Sequence, residues 1–149
     1  MLFTGFDFSA LDLPSYKEDA VREDIVAPIL RKIGYKATGD IRMERSKQLI
    51  HPFVKIGSKD YPIHIIPDYT LFWQNTPLLI LDAKSPTEEV IKSRHVEQAF
   101  SYAIHPDIRA HYYGLCNGRH LVIFSISQSE PVLLIPVQEI VPSRFRLQK

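Results

Sequence analysis

The residues best suited to chemistry follow an apolar stretch at 78–81, which has the pattern of a strand buried on both faces. Asp82 and Lys84 come directly after it, and because side chains two apart share one face of a strand, they point the same way. Asp68 belongs to the preceding predicted strand, and the two acids meet if these strands are neighbours. Two nearby carboxylates repel each other, and a hard cation such as Mg²⁺ relieves that repulsion. The pattern therefore predicts a divalent-metal site in which Lys84 stabilises charge on a phosphate.

The composition bounds the class of protein. The 149 residues are 45% hydrophobic and 23% charged, as in ordinary globular domains. Lys and Arg number 18 against 17 Asp and Glu, which disfavours a general polyanion-coating role and requires any contact to nucleic acid to come from clustered charge. A single cysteine, short apolar runs and the lack of a signal pattern lead us to expect a cytoplasmic protein with no membrane partner.

The hydrophobic periodicity predicts an α/β fold in which a central mixed β-sheet is flanked by helices. One helix is expected to open at Ser15 and to end at Gly34, with a possible kink at Pro28. A second is expected to begin at 85–88, where Ser, Pro and Glu form a capping pattern, and to end at Ile104. The strands are expected at residues 49–56, 61–73, 78–81, 111–116, 120–127 and, as a short edge strand, 131–136.

The acidic residues resemble the signature of a nuclease family. Pro67-Asp68, followed by Asp82-Ala83-Lys84 at the end of an apolar strand, is similar to the PD-(D/E)xK signature. This resemblance implies a restriction-endonuclease-like core and a Mg²⁺-dependent DNA endonuclease, in which Mn²⁺ can substitute. Asp68, Asp82 and the Ala83 backbone carbonyl would hold the metal. Lys84 would stabilise the developing charge or assist an attacking water.

The second predicted helix carries a further match. Gln98 and Tyr102 resemble the QxxxY element of the RecB-like branch of these nucleases, and an i, i+4 pair lies on one helical face. The resemblance implies a catalytic role, as contacts to the substrate phosphate or to Lys84. The alternative is that they are a polar edge and a half-buried aromatic of an amphipathic helix. His95 and His64 could approach the site, but a lone histidine is more often a surface residue.

The N-terminal region resembles a narrower group. Residues 17–22, with 28–30 and 34–35 downstream, look like the first helix of the N-terminal nuclease domain of type I restriction enzyme R subunits. In that family the helix supplies a glutamate near the metal, and Glu18 is the matching position for catalysis and metal binding. The alternative is a capping box in which Glu18 bonds back to Ser15. Residues 113–118 and 122–124 also resemble the closing hairpin of that domain.

The resemblance covers most of the chain and bounds its role. We expect one domain over residues 1–149, with a core at about 15–127, an N-terminal arm at 1–14 and a C-terminal extension at 128–149. The sequence has no G-x-x-x-x-G-K-[ST] phosphate loop, so ATP-driven translocation is not expected of this chain alone. The expected partner is double-stranded DNA, with a second copy of the chain or separate restriction-system subunits as further candidates.

Several alternatives stay open at this point. Basic residues cluster at Arg42, Arg45 and Lys47, and again at 144–149, either as phosphate contacts or as solvated faces. Asp82 and Lys84 could be a surface ion pair of little energetic weight. As a whole, the protein could also be a nuclease-fold module that binds DNA or a partner protein without cutting, or a scaffold without a nucleic-acid role.

Overall fold

A six-stranded mixed sheet with helices on both faces forms the centre of the molecule. The structure is a computed structural model that describes residues 2–63 and 66–141. The strand order is β1-β4-β5-β6-β7-β8, in which β5 and β6 are parallel and every other pair is antiparallel. A separate hairpin contains β2 and β3. This arrangement confirms the predicted α/β class. The strands are β1 Arg42–Arg45, β2 Phe53–Ile56, β3 Lys59–Pro62, β4 Tyr69–Trp73, β5 Thr76–Ala83, β6 Tyr112–Cys116, β7 His120–Ser125 and β8 Pro131–Pro136.

The central strand β5 is covered on both faces, as its apolar sequence predicted. Leu79 and Leu81 pack in the core below the N-terminal helix, whereas Ile80 packs in the core below the C-terminal helix. Both β4 and β6 pair with β5, so its backbone groups are satisfied on both edges. The expected edge strand β8 and the hairpin joining β6 to β7 are also confirmed.

The N-terminal helix is a single rod with an irregular centre. It comprises α1 Glu18–Val21, a π-helical turn at Arg22–Val26 and α2 Ala27–Lys32. A proline cannot donate to the carbonyl four residues earlier and its ring crowds that carbonyl, so the irregularity that Pro28 predicted takes the form of the π-helical turn before it. The helix ends at Gly34, as predicted. Gly34 has φ +105 and donates its N–H to the Arg31 carbonyl at 3.2 Å.

The C-terminal helix, α3 Arg94–Ile104, begins later than the sequence predicted. The Glu88 carbonyl, which a helix would use internally, accepts a hydrogen bond from the Asn117 side chain at 2.9 Å. The amide of Lys92 instead donates to the side chain of Glu89 at 2.7 Å. The predicted start at 85–88 is therefore wrong because a tertiary contact removes the acceptor that the first helical turn needs. The predicted end before His105-Pro106 is confirmed.

Two regions outside the predicted elements also contribute. β1 was not expected, since its sequence lacks β-branched residues, and it forms because it pairs with β4. The N-terminal arm includes a 3₁₀ helix at Phe8–Asp12, and Phe3 is buried in the main core.

His64 and the basic residues at 144–149 lie outside the described residues. Within 2–63 and 66–141, no helix combines the length and apolar character needed to cross a membrane.

Candidate active site

Asp68 and Asp82 meet at one end of the sheet. Asp68 directly precedes β4, and β4 pairs with β5 so that Tyr69 lies opposite Leu81. The amide of Asp68 donates to Asp82 Oδ1 at 3.2 Å, and the amide of Ala83 donates to Asp68 Oδ2 at 2.7 Å. The Asp82 carboxylate is therefore held by the backbone of Asp68, and the Asp68 carboxylate by the backbone next to Asp82. The convergence that the sequence predicted for these two acids is confirmed.

Lys84 completes the cluster at the end of β5. Its Nζ lies 3.0 Å from Asp82 Oδ2 and 3.8 Å from Glu18 Oε1. Ala83, between Asp82 and Lys84, points to the other face of the strand, as the alternation of a strand requires, and packs in the core below the N-terminal helix. Only 15% of the Lys84 side chain and 7% of the Asp82 side chain are exposed. A fully solvated surface ion pair is therefore excluded.

The electrostatics of the cluster disfavour a charged Asp82. Burial raises the pKa of Asp82 to about 7, and the negative charge of Asp68 acts in the same direction. The ammonium of Lys84 lowers the pKa of Asp82 and offsets part of this effect. A cation that binds at these two carboxylates would stabilise their ionised forms.

Glu18 lies on the first turn of α1 and does not form the capping box that was the alternative to its predicted role near the metal. The helix N-cap is Lys17, and it has no side-chain cap hydrogen bond. The Glu18 side chain is 49% exposed and faces Lys84 instead. The structure thus brings Glu18, Asp68, Asp82 and Lys84 to one region of the molecule.

Arg22 joins the cluster, although the sequence analysis did not select it. Its Nη1 lies 3.2 Å from Asp68 Oδ1, and its Nε lies 3.5 Å from Glu23 Oε1. The signal that could have found it is its spacing from Glu18, since residues four apart on a helix lie on the same face. Arg22 and Lys84 therefore lie beside the carboxylates of Glu18, Asp68 and Asp82 at this end of the sheet.

A cavity of about 800 Å³ opens beside the cluster. Its walls come from the N-terminal arm, the start of α1 and the loop after β5, and both Glu18 and Lys84 line it. His95 also lines it and places Nε2 3.1 Å from Glu88 Oε2. The Nδ1 atom of His95 is buried and has no hydrogen-bond partner among the described residues. The cavity therefore gives a substrate access to Lys84.

Gln98 and Tyr102 are not brought to the acids. Gln98 is exposed and lines a different cavity, between α3 and the β2–β3 hairpin. Tyr102 is fully buried in the core below α3, and its hydroxyl donates to the backbone carbonyl of Lys47. Burial raises the pKa of Tyr102 to about 12. These positions fit the amphipathic-helix alternative, in which Tyr102 connects α3 to the chain after β1.

The three basic residues near β1 do not share one face. Arg42 pairs with Glu44 and lies over the ring of Phe72, with 4.0 Å between the guanidinium carbon and the ring centroid. Arg45, three residues later, points to the other face of the strand and lies 3.8 Å from Glu23. Lys47 lies 3.6 Å from Glu44. All three side chains are engaged in ion pairs.

The donor set is suited to a hard divalent ion that keeps part of its coordination for water or substrate. No three His, Cys, Asp or Glu side chains in the described part of the chain form a group that could hold a metal alone. Mg²⁺ does not need such a group, because it is commonly held by one or two carboxylates together with substrate phosphates. Two buried carboxylates that repel each other, Asp68 and Asp82, meet this requirement.

Two solved structures share this fold. Family models do not match the chain, nor does any curated protein. A fragment of an HsdR subunit of a type I restriction enzyme from Vibrio vulnificus YJ016 is 21% identical with a TM-score of 0.58, over 79% of this chain and 22% of that one. The type IIG restriction endonuclease BpuSI is 22% identical with a TM-score of 0.50, over 76% of this chain and 12% of that one. The chain thus spans less than a quarter of either protein, and its fold is similar to the matched parts of these two restriction enzymes.

Proposed function

We propose that this protein is a Mg²⁺-dependent DNA endonuclease of restriction type, with a PD-(D/E)xK active site. The observation that carries the proposal is the hydrogen-bonded convergence of Asp68 and Asp82, with Lys84 3.0 Å from Asp82, beside an open cavity. Buried charges of this kind are costly unless they serve each other or a ligand. The likeness of the fold to restriction-enzyme fragments supports the same function.

In this proposal, Asp68, Asp82 and the backbone carbonyl of Ala83 hold the metal, with Glu18 as a further acid at the cavity wall. When bound, Mg²⁺ or Mn²⁺ would supply Lewis-acid stabilisation of the charge on the scissile phosphate. The ammonium of Lys84 faces the same cavity and stabilises the negative charge that develops in the transition state. Because Asp82 holds Lys84 at 3.0 Å, the ammonium is positioned before the substrate binds.

The proposed substrate is double-stranded DNA in the cytoplasm. Arg45 is 51% exposed and is the best placed of the predicted phosphate contacts, although it would have to exchange its pairing with Glu23 for a phosphate. Arg42 and Lys47 would have to exchange their pairing with Glu44. Small nucleases often use two active sites to cut both strands, so a second copy of the chain or separate restriction-system subunits are proposed partners.

The test is cleavage of supercoiled plasmid DNA by the wild-type protein and two variants. We expect nicked or linear DNA with Mg²⁺ or Mn²⁺ and none with EDTA. Asp82→Asn is expected to reduce the rate at least about 100-fold. The matched control is Asp60→Asn, an exposed aspartate on the β2–β3 hairpin, which should cut like wild type. Equal cleavage by Asp82→Asn and wild type would remove the assignment.

A second candidate function is a nuclease-fold module that binds DNA or a partner protein without cutting. The observation that favours it is that Asp68 and Asp82 each have a cationic partner in the protein, Arg22 and Lys84. Such a module would bind DNA with a strong salt dependence, and EDTA would leave its affinity unchanged. Fluorescence anisotropy with labelled duplex DNA, together with absence of cleavage under every divalent ion tried, distinguishes it from the nuclease.

A further inference from the structure

Both carboxylate oxygens of Asp68 have partners within the protein. Its Oδ1 lies 3.2 Å from Nη1 of Arg22, and its Oδ2 accepts a hydrogen bond from the amide of Ala83 at 2.7 Å. Only 11% of the Asp68 side chain is exposed, so little water competes with these two donors. Both oxygens of a proposed metal ligand are therefore occupied by groups of the protein itself.

Arg22 is held in a defined direction. It is the first residue of the π-helical turn at Arg22–Val26, and such turns are frequent at functional sites. Glu23 supports it from the next position, 3.5 Å from Nε. Two-thirds of the Arg22 side chain is covered, which limits the other directions that it can take.

We propose that Arg22 is a built-in counter-cation, which holds Asp68 in the metal-free protein and competes with the divalent ion for that carboxylate. This inference rests on the proposed function, since it assigns Asp68 as a metal ligand. A guanidinium and a divalent cation at one carboxylate repel each other, so the affinity of Asp68 for the metal falls while Arg22 stays in place. Arg22 thereby sets the metal concentration at which the site fills.

Lys84, the other cation of the cluster, differs from Arg22 in its partner and in its proposed role. It pairs with Asp82 from the cavity side, in the position that the proposed chemistry needs. Arg22 approaches the other acid from the N-terminal helix and is not part of the D-x-K triplet. Removal of Arg22 therefore separates competition for the metal from the charge stabilisation that Lys84 provides.

The test is the affinity for Mn²⁺ in the absence of DNA, measured by titration calorimetry. Arg22→Gln is expected to bind Mn²⁺ about tenfold more tightly than wild type, which is the lower end of the effect of one neighbouring charge on a carboxylate. Arg22→Lys keeps the positive charge and should bind Mn²⁺ less tightly than Arg22→Gln does. The matched control is Arg31→Gln, which removes an exposed charge from the same helix and should not change the affinity.

The sign of the change distinguishes competition from a structural role. If Arg22 only held Asp68 in shape, Arg22→Gln would bind Mn²⁺ less tightly, and an equal or weaker affinity in a folded variant would overturn the proposal. Equal tightening by Arg31→Gln would also overturn it, because the effect would then be general. Arg22→Met keeps an unbranched side chain without charge and provides the same test if the glutamine variant does not fold.

The Mn²⁺ affinity of the wild type distinguishes a failure of this inference from a failure of the proposed function. If neither wild type nor Arg22→Gln binds Mn²⁺, the proposed metal site itself fails. If wild type binds Mn²⁺ and Arg22→Gln binds it equally well, only the role of Arg22 is overturned. Circular dichroism of each variant confirms that the fold is retained before the affinities are compared.

Discussion

Two neighbouring parallel strands, β5 and β6, each end in buried polar side chains, but the two ends differ in how those side chains are satisfied. After β6, Asn117 is 6% exposed and neutral. Its Nδ2 donates to the Glu88 carbonyl at 2.9 Å, and its Oδ1 accepts from the amides of Arg119 and His120, both at 2.9 Å. At the end of β5, Asp82 is 5% exposed and ionisable, and its carboxyl group lies beside a second acid.

The difference separates a structural polar residue from a candidate functional one. Every hydrogen bond of Asn117 goes to the backbone, which fixes the loop before α3 and the turn into β7. The pKa of Asp82 instead stays raised despite the charge of Lys84, so the protein stabilises the ionised carboxylate less than water does. A buried polar group that is satisfied stabilises a fold, whereas one that is incompletely compensated indicates a site for a ligand.

The largest effect is expected from removal of the ammonium at the end of β5. Lys84→Met should lower the cleavage rate at saturating DNA by about 100- to 1,000-fold, because the charge of the transition state loses its stabilisation. Chemical denaturation should show that Lys84→Met loses a much smaller fraction of its unfolding free energy than of its cleavage rate. A matched control is Lys59→Met, an exposed lysine on the β2–β3 hairpin. Cleavage by Lys84→Met at the wild-type rate would show that the ammonium at the end of β5 has no role in cleavage.

The second effect concerns pH in the presence of EDTA. Because the folded protein holds the pKa of Asp82 at about 7, above its value of 3.8 in the unfolded chain, the folded state binds more protons between these limits. This contribution to stability is therefore complete below about pH 4 and is lost as the pH rises through about 7. Its size is of the order of a few kcal/mol.

Asp82→Asn should abolish this part of the pH dependence, since asparagine does not ionise. We expect the variant to gain stability relative to wild type as the pH rises from 5 to 8, measured by urea denaturation at each pH. A wild-type protein whose stability rises with pH over this range, in parallel with Asp82→Asn, would show that the Asp82 carboxylate is fully compensated.

A smaller effect is expected at the end of β6. Asn117→Ala leaves the Glu88 carbonyl and two backbone amides without their partner, at a cost of about 2–3 kcal/mol in unfolding free energy. Cleavage per folded molecule should fall much less than in Lys84→Met. Urea denaturation and plasmid cleavage on the same samples measure both quantities. A loss of cleavage as large as that of Lys84→Met would show that Asn117 has a functional role and not only a structural one.

The smallest effect is expected one residue later, at Gly118. This glycine has φ +85, and an added Cβ would lie 2.9 Å from Cδ2 of Leu11, so Gly118→Ala should cost about 1–2 kcal/mol. Gly5→Ala is the matched control, because nothing lies within 4 Å of a Cβ there and its φ is not positive. Equal stability of the two variants would show that the arm can move away from the turn.

Local sequence patterns predicted those parts of the fold that depend on near neighbours along the chain. The apolar run at 78–81 predicted the central strand, Gly34 predicted the end of the first helix, and residues 117–118 predicted the turn into β7. The start of α3 was missed, because a carbonyl at Glu88 is taken by a side chain 29 residues later. β1 was missed because its pairing with β4, and not its own propensity, makes it a strand.

The candidate site divides in the same way. The D-x-K spacing placed Asp82 and Lys84 on one face of a strand. Asp68 could be predicted to join them because its strand precedes theirs along the chain and the two strands pair. The positions of Gln98 and Tyr102 could not be predicted, because they depend on how α3 rotates against the sheet. Their helical spacing holds, but Tyr102 points into the core and Gln98 into another cavity.

By itself, the sequence determined the central strand, the pair of acids and the lysine that follows them, since strand alternation and a short turn act over few residues. Only the tertiary structure decided that Arg22 would reach Asp68, 46 residues away, and that Glu18 would face Lys84. The physical reason is that these contacts depend on where the N-terminal helix docks against the sheet. That docking depends on buried apolar side chains such as Val21 and Ile25, not on the charged residues that it brings together.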